Sequence, residues 1–127
     1  IWVTLRYPLF GVGAGNFHYK SVHELVTHNA YTEVSSEMGI PALVIYIMLM
    51  VYPLRRLRQI ERETADIASK RKFHYWSIGI QASIVAYMVS SFFGAVAYQW
   101  YIYYIVGYAV ALRRIYYVDL HAAERKS

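Results

Sequence analysis

The chain has 127 residues, of which 57% are hydrophobic, 17% aromatic and only 17% charged. Soluble domains usually carry about 25% charged residues, so this composition favours a membrane protein and excludes intrinsic disorder. The chain is too short for two ordinary globular domains, and without cysteine it can hold no disulfide or thiolate metal site. It begins at Ile1 and shows no signal peptide, so we expect a piece of a longer protein.

Charge-free segments predict three membrane spans. Residues 38–54 carry no charged side chain, and a helix of this length reaches about 26 Å, close to the roughly 30 Å hydrocarbon core. Residues 73–112 are also free of formal charge but too long for one crossing, so they fold back at a turn within residues 90–100. We therefore expect an all-α, polytopic transmembrane helical bundle with spans over residues 39–54, 74–93 and 99–112.

The basic residues orient these spans. Seven lie in residues 55–72, four follow residue 112, and two precede the first span. Cytoplasmic loops accumulate Lys and Arg, so we predict an external segment over residues 1–37, a basic cytoplasmic connection over 55–73 and a cytoplasmic tail over 113–127. Residues 74–112 form the hairpin between them. The net charge of +5 is then a topology signal, and no nucleic-acid partner is expected.

The external segment contains a proline-led, glycine-spaced loop. Residues 8–17 read Pro-Leu-Phe-Gly-Val-Gly-Ala-Gly-Asn-Phe, and glycines permit positive φ and close backbone approach. Such a loop can present N–H groups to an anion, but it lacks the Gly-Lys-Ser/Thr ending of a Walker loop and the strand of a dinucleotide-binding unit. Histidines at positions 18, 23 and 28 are five residues apart, which places them on different helix faces and argues against a metal site.

A helix start follows the last of these histidines. Asn29 is a favoured N-cap residue, so we predict a short helix over residues 30–37 that Gly39 ends. Pro41 suits the first turn of the membrane span that follows. His28 then lies at a positive helix end near the external membrane face. Spacing alone favours a capping or interfacial hydrogen-bonding role for it.

These elements together resemble a known family. Three features follow one another along the chain: the residue 8–17 motif, a His28-Asn29 pair and, after nine further residues, Gly39-Ile-Pro before an apolar span. This order resembles that of the O-antigen ligase family. This integral-membrane group includes O-antigen ligases, related polysaccharide polymerases and some O-linked oligosaccharyltransferases. In the ligases the Gly is followed, after two residues, by Gly, Thr or Tyr, and Ala42 departs from that pattern. The later spans match in hydropathy alone.

The resemblance implies glycosyl transfer without metal or cofactor at the outer face of the bacterial cytoplasmic membrane. The donor would be a glycan on undecaprenyl diphosphate, and the acceptor a hydroxyl of another glycan or lipid-linked glycan. His28 would orient or deprotonate the acceptor hydroxyl, with Asn29 fixing its geometry. Membrane lipids would surround the spans.

The leaving diphosphate is anionic, so cationic side chains and backbone N–H groups would stabilise its developing charge. The candidates in the external segment are Arg6, Lys20, Gly13 and Gly15. Glu33 and Glu37 could act as a base or hold a sugar hydroxyl, although helix N-terminal and solvated-face roles are favoured for both carboxylates.

Two other function classes stay open. A transporter or channel fragment would be expected to carry ionisable residues within its spans, whereas the polar residues there are His74, Gln81, Gln99 and several serines. A non-catalytic membrane anchor or assembly protein would leave the polar residues of segment 8–37 without a role, and substitutions there would be silent.

Overall fold

The computed structural model describes residues 2–17 and 28–125, and those residues form helices and connections with no strand among them. The predicted all-α class is confirmed for this part of the chain. The helices follow in chain order as α1 (Trp2–Arg6), α2 (Ala30–Thr64), a 3-10 turn (Ala68–Lys70), α3 (Arg71–Ser90) and α4 (Tyr101–Glu124).

Helix α2 is the candidate membrane span. By length and composition it can cross a membrane, with a mean hydropathy of 1.8 over its most apolar stretch, and it contains the predicted first span. The predicted second and third spans fall on α3 and α4. Within residues 2–17 and 28–125, α2 alone meets this measure. The structure therefore supports one candidate span, and the three-span arrangement stays a prediction.

The predicted start and break of helix α2 are confirmed. The Thr32 N–H donates to Asn29 Oδ1 at 3.0 Å, which is the N-cap hydrogen bond expected from the sequence. Gly39 has φ 86° and ψ 176°, outside the helical region, so α2 consists of two helical segments joined at a kink. Pro41 lies in the first turn after the kink, where its missing N–H costs no helical hydrogen bond.

The predicted turn between the last two helices is also present, since α3 ends at Ser90 and α4 begins at Tyr101. Helix α4, however, continues well past the predicted span end at residue 112, as far as Glu124. The absence of charge bounds a membrane span but not a helix, because Arg, Leu, Ala and Glu all favour helix in water as well. The helix therefore continues beyond the end of the apolar segment.

The chain divides into two compact units. The first comprises Ile1–Leu49 and Tyr87–Gln99, and several of its buried side chains are polar. The Ala30 N–H donates to the Ser91 carbonyl at 2.8 Å, which fastens the start of α2 to the end of α3. Buried polar groups need partners, and here both backbone and side chains supply them: Ser91 Oγ donates to the Tyr87 carbonyl, and the hydroxyls of Ser36 and Thr4 share a hydrogen bond.

The second unit comprises Met50–Ala86 and Trp100–Ser127. Its core contains Ile60, Phe73 and Tyr116, and the last two rings pack edge to face at 5.5 Å. The Tyr116 hydroxyl, outside the predicted spans, donates to a Glu63 carboxylate oxygen at 2.9 Å. Burial, together with this carboxylate, raises the pKa of Tyr116 to about 12.

Candidate functional site

The glycine-spaced loop is hydrogen-bonded to the kink in helix α2. We call residues 7–17 together with residues 36–40 the loop–break junction. A helix break leaves carbonyls before it and an amide after it without helical partners, and the loop supplies both kinds of partner. The three backbone hydrogen bonds are Val12 N–H to Ser36 O (2.9 Å), Gly13 N–H to Glu37 O (2.8 Å) and Ile40 N–H to Pro8 O (2.8 Å).

Two glycines make this close approach possible. Gly11 has φ 65°, and a Cβ added there would overlap the carbonyl group of Glu37. Gly39 has φ 86°, and a Cβ there would overlap the carbonyl group of Leu9. By contrast, Gly15 has φ 74° but its Cβ would meet no described atom within 4 Å. The junction thus requires glycine at two positions for contact as well as for conformation.

The role expected of the Gly13 amide is corrected by this arrangement. Its N–H points to the Glu37 carbonyl, and the neighbouring Val12 N–H points to Ser36, so neither is presented to a diphosphate. These amides complete a helix end instead. Gly15 lies in open space at the exposed side of the loop, where close approach of a ligand is sterically possible.

Glu37 is buried within the first unit, with only 4% of its surface exposed. The Tyr98 hydroxyl donates to one carboxylate oxygen at 2.5 Å, and the Phe17 N–H points to the other at 3.4 Å. The expected solvated-face role of Glu37 is therefore wrong. The loop and the connection after α3 cover that face, and a buried carboxylate is stable there because it accepts hydrogen bonds.

Glu33 lies one helical turn before Glu37, ahead of the apolar stretch 38–54. Glu33 is half-buried, and its Oε2 atom is enclosed and has no hydrogen-bond partner in the described part of the chain. Burial, and then the neighbouring Glu37 carboxylate, raise the pKa of Glu33. The predicted helix N-terminal position of Glu33 is confirmed, because the residue lies in the first turn of α2. Its carboxyl group can hold a proton at a higher pH than an ordinary glutamate.

Asn29 is committed to the architecture of the helix start. Its Oδ1 accepts the Thr32 N–H, and its Nδ2 donates to the Phe92 carbonyl at 3.3 Å. The side chain of His28, the residue before it, is exposed. Asn29 therefore fixes the backbone of the helix start, directly after the exposed His28.

The remaining predicted residues are separate from this group. Arg6 ends helix α1 with its guanidinium 5.2 Å from the centre of the Trp2 ring, and its side chain is exposed. Lys20 lies outside the described residues, as do the histidines at 18 and 23. The structure joins Gly13 to Glu37 and places Glu33 beside Glu37, while none of the described hydrogen bonds links Arg6 or His28 to these carboxylates.

Tyr98 is the site residue that sequence reasoning missed. Its hydroxyl contacts the Glu37 carboxylate from 61 positions away in the chain. No spacing rule connects residues at that separation. The one signal in the sequence was a tyrosine in a turn between apolar segments, and tyrosines of an ordinary membrane interface occur in the same setting.

Comparison with protein-family models, curated proteins and solved structures finds no match. The family resemblance therefore rests on two motifs, the loop of residues 8–17 and the pattern His28-Asn29 with Gly39. The loop and Gly39 meet in the loop–break junction, and the His-Asn pair stands at the start of the same helix.

Proposed function

We propose that the chain is part of a membrane glycosyltransferase of the O-antigen ligase or polymerase type. It transfers a glycan from undecaprenyl diphosphate to a sugar hydroxyl at the outer face of the bacterial cytoplasmic membrane. Three crossings, with residues 1–37 external, belong to this proposal. The observation that supports it most is the loop–break junction, where the loop of residues 8–17 meets Gly39 of the second motif within α2, the candidate membrane helix.

The reaction needs a base for the acceptor. The acceptor oxygen attacks the anomeric carbon, the bond from that carbon to the diphosphate oxygen breaks, and the hydroxyl proton leaves. The exposed imidazole of His28 can accept this proton on a ring nitrogen when the ring is neutral. General-base help of this kind contributes about 10²–10⁴-fold in rate. Asn29 keeps the imidazole at the helix start.

The leaving undecaprenyl diphosphate carries negative charge away from the anomeric centre. Arg6 and Lys20 supply positive charge in the same external segment, and Gly15 allows the ligand to approach the loop closely. Glu33 is half-buried, and its carboxyl group would accept a hydrogen bond from a sugar hydroxyl.

Transfer in membrane vesicles tests this proposal. A strain that lacks the encoding gene is complemented with the natural gene or with variants, and its vesicles receive an undecaprenyl-diphosphate glycan. We expect His28→Ala to lower the transfer rate about 10²–10⁴-fold at an unchanged protein level. The matched control, His121→Ala in helix α4, keeps the rate. Normal transfer by His28→Ala would remove the catalytic role.

A non-catalytic membrane assembly protein is the second candidate. It is favoured by one set of observations: the side-chain amide of Asn29, the amide of Gly13 and the carboxylate of Glu37 all make contacts within the protein. On this alternative, His28→Ala changes neither transfer nor stability, while substitutions within the loop–break junction lower the protein level.

A further inference from the structure

The second unit contains a groove of about 1000 Å³ between helices α3 and α4. That volume lies at the upper end of the range for small-molecule sites, about 300–1,000 Å³. Its lining is mostly apolar and aromatic and includes Phe73, Trp76, Gly79, Tyr108 and Leu112. None of these residues belongs to the loop–break junction, so the groove is a different place from the site of the proposed transfer.

Gly79 keeps part of this groove open. A Cβ added to it would meet no described atom within 4 Å, so the glycine is not required by a close contact. Nor does its backbone require glycine, because it lies within the regular helix α3. Glycine inside a helix costs about 1 kcal/mol relative to alanine. Glycine at position 79 therefore lowers the stability of helix α3 and leaves space in the groove.

The groove has one charged end. Lys72 is the one charged side chain among the described residues that line it, and the adjacent Arg71 adds a second cation. Both belong to the segment 55–72, which holds seven basic and three acidic residues. Tyr75 and Trp76 lie about one turn further along α3 and are exposed.

The cations, the aromatic rings and the apolar walls of the groove follow one another in the same order as the layers of a membrane interface. Cations attract the phosphate of an anionic headgroup, Tyr and Trp prefer the boundary region, and apolar walls accept an acyl chain. A second copy of this chain fits the same groove less well, because its net charge of +5 would bring further positive charge towards Lys72.

We infer that the groove binds an anionic phospholipid from the membrane. One acyl chain lies along Trp76, Gly79 and Leu112, and the phosphate lies against Lys72. The inference rests on the membrane location within the proposed function but not on glycosyl transfer. An assay of lipid contact therefore fails or succeeds independently of the His28 transfer assay.

Fluorescence quenching of Trp76 tests the inference. The chain also contains Trp2 and Trp100, so the double variant Trp2→Phe, Trp100→Phe isolates the signal from the groove. It is placed in nanodiscs of phosphatidylcholine and phosphatidylglycerol, with bromine on the acyl chains of one lipid or the other. At equal mole fraction, brominated phosphatidylglycerol is expected to quench Trp76 more strongly than brominated phosphatidylcholine.

Three further substitutions in this background locate the lipid. Gly79→Leu fills the groove and is expected to abolish the excess quenching by phosphatidylglycerol. Gly107→Leu is the matched control, since that helical glycine also has empty surroundings but lies outside the groove lining, and it keeps the excess. Lys72→Gln is expected to make the two lipids equally effective, because it removes the headgroup contact.

Three results would overturn the inference. Equal quenching by the two lipids in the Trp76 background would mean ordinary contact with bulk lipid. An excess that survives Gly79→Leu would place the anionic lipid elsewhere. Protection of Trp76 from both lipids would mean that protein, such as a second copy, covers the groove.

Discussion

Glycines serve opposite purposes in the two units of the molecule. In the loop–break junction, Gly11 and Gly39 have positive φ and stand where any Cβ would overlap a backbone carbonyl group. In helices α3 and α4, Gly79 and Gly107 have regular conformations and empty surroundings. The first pair fixes a backbone path, whereas the second pair leaves surface uncovered. A glycine in a sequence therefore carries structural information only once its φ and its neighbours are known.

The two units also differ in their polar contacts. In the first unit the Glu37 carboxylate is buried and held by Tyr98, so its hydrogen bonds are part of the fold. In the second unit the core contains Ile60, Phe73 and Tyr116, and exposed tyrosines such as Tyr103 line the outside. Three predictions, in order of decreasing effect, sharpen this comparison.

The largest loss of stability is expected for Gly11→Ala. The new methyl group would overlap the Glu37 carbonyl group in a backbone of φ 65°, so the junction has to separate or shift. We expect the free energy of unfolding in detergent to fall by about 3 kcal/mol. Gly15→Ala is the control, because φ is also positive but space is free, and about 1 kcal/mol is expected there. Equal losses for the two variants would contradict the role of the close contact.

An intermediate loss is expected for Tyr98→Phe. The substitution keeps the ring but removes the hydroxyl that donates to the buried Glu37 carboxylate. Hydrogen bonds to charged groups contribute about 1.5–3 kcal/mol, so thermal unfolding should begin at a clearly lower temperature. Tyr103→Phe on the exposed side of α4 should leave the transition unchanged. If the two variants unfold alike, Glu37 does not depend on the Tyr98 hydroxyl.

The smallest effect is expected for Glu33→Gln, and it depends on pH. The pKa of Glu33 is raised above the usual 4.5 by burial, so the folded chain holds this proton more tightly than the unfolded chain. Stability is therefore lost as pH rises from 4.5 through the raised value, and stays lower above it. Glu33→Gln removes this loss, so the variant gains stability relative to the natural chain at pH 8 but not at pH 4. Thermal unfolding at the two values measures the difference, and a gain that is the same at both would contradict the raised pKa.

The sequence was sufficient where a local rule applies. The N-cap at Asn29, the helix break at Gly39 and the turn before Tyr101 each follow from residue types within a few positions. They locate the start and the break of the candidate membrane helix α2 and the start of helix α4.

Tertiary contacts decided the rest. The burial of Glu37 depends on Tyr98, which is 61 positions away, and the Gly13 amide is engaged by a carbonyl from a different helix. Neither partner can be read from periodicity. Helix α4 continues past the predicted span end at Leu112 because the residues that follow favour helix even where they are charged.

The side of the membrane on which residue 28 lies tests the proposed function most directly. The chain contains no cysteine, so His28→Cys and Arg58→Cys each introduce a single reactive thiol, the first just before the start of helix α2 and the second in the basic segment 55–72. In intact spheroplasts, a membrane-impermeant maleimide is predicted to label position 28, and position 58 only after the membrane is opened. Labelling of position 28 only after opening, with position 58 labelled from outside, would contradict the external site on which the proposed transfer depends.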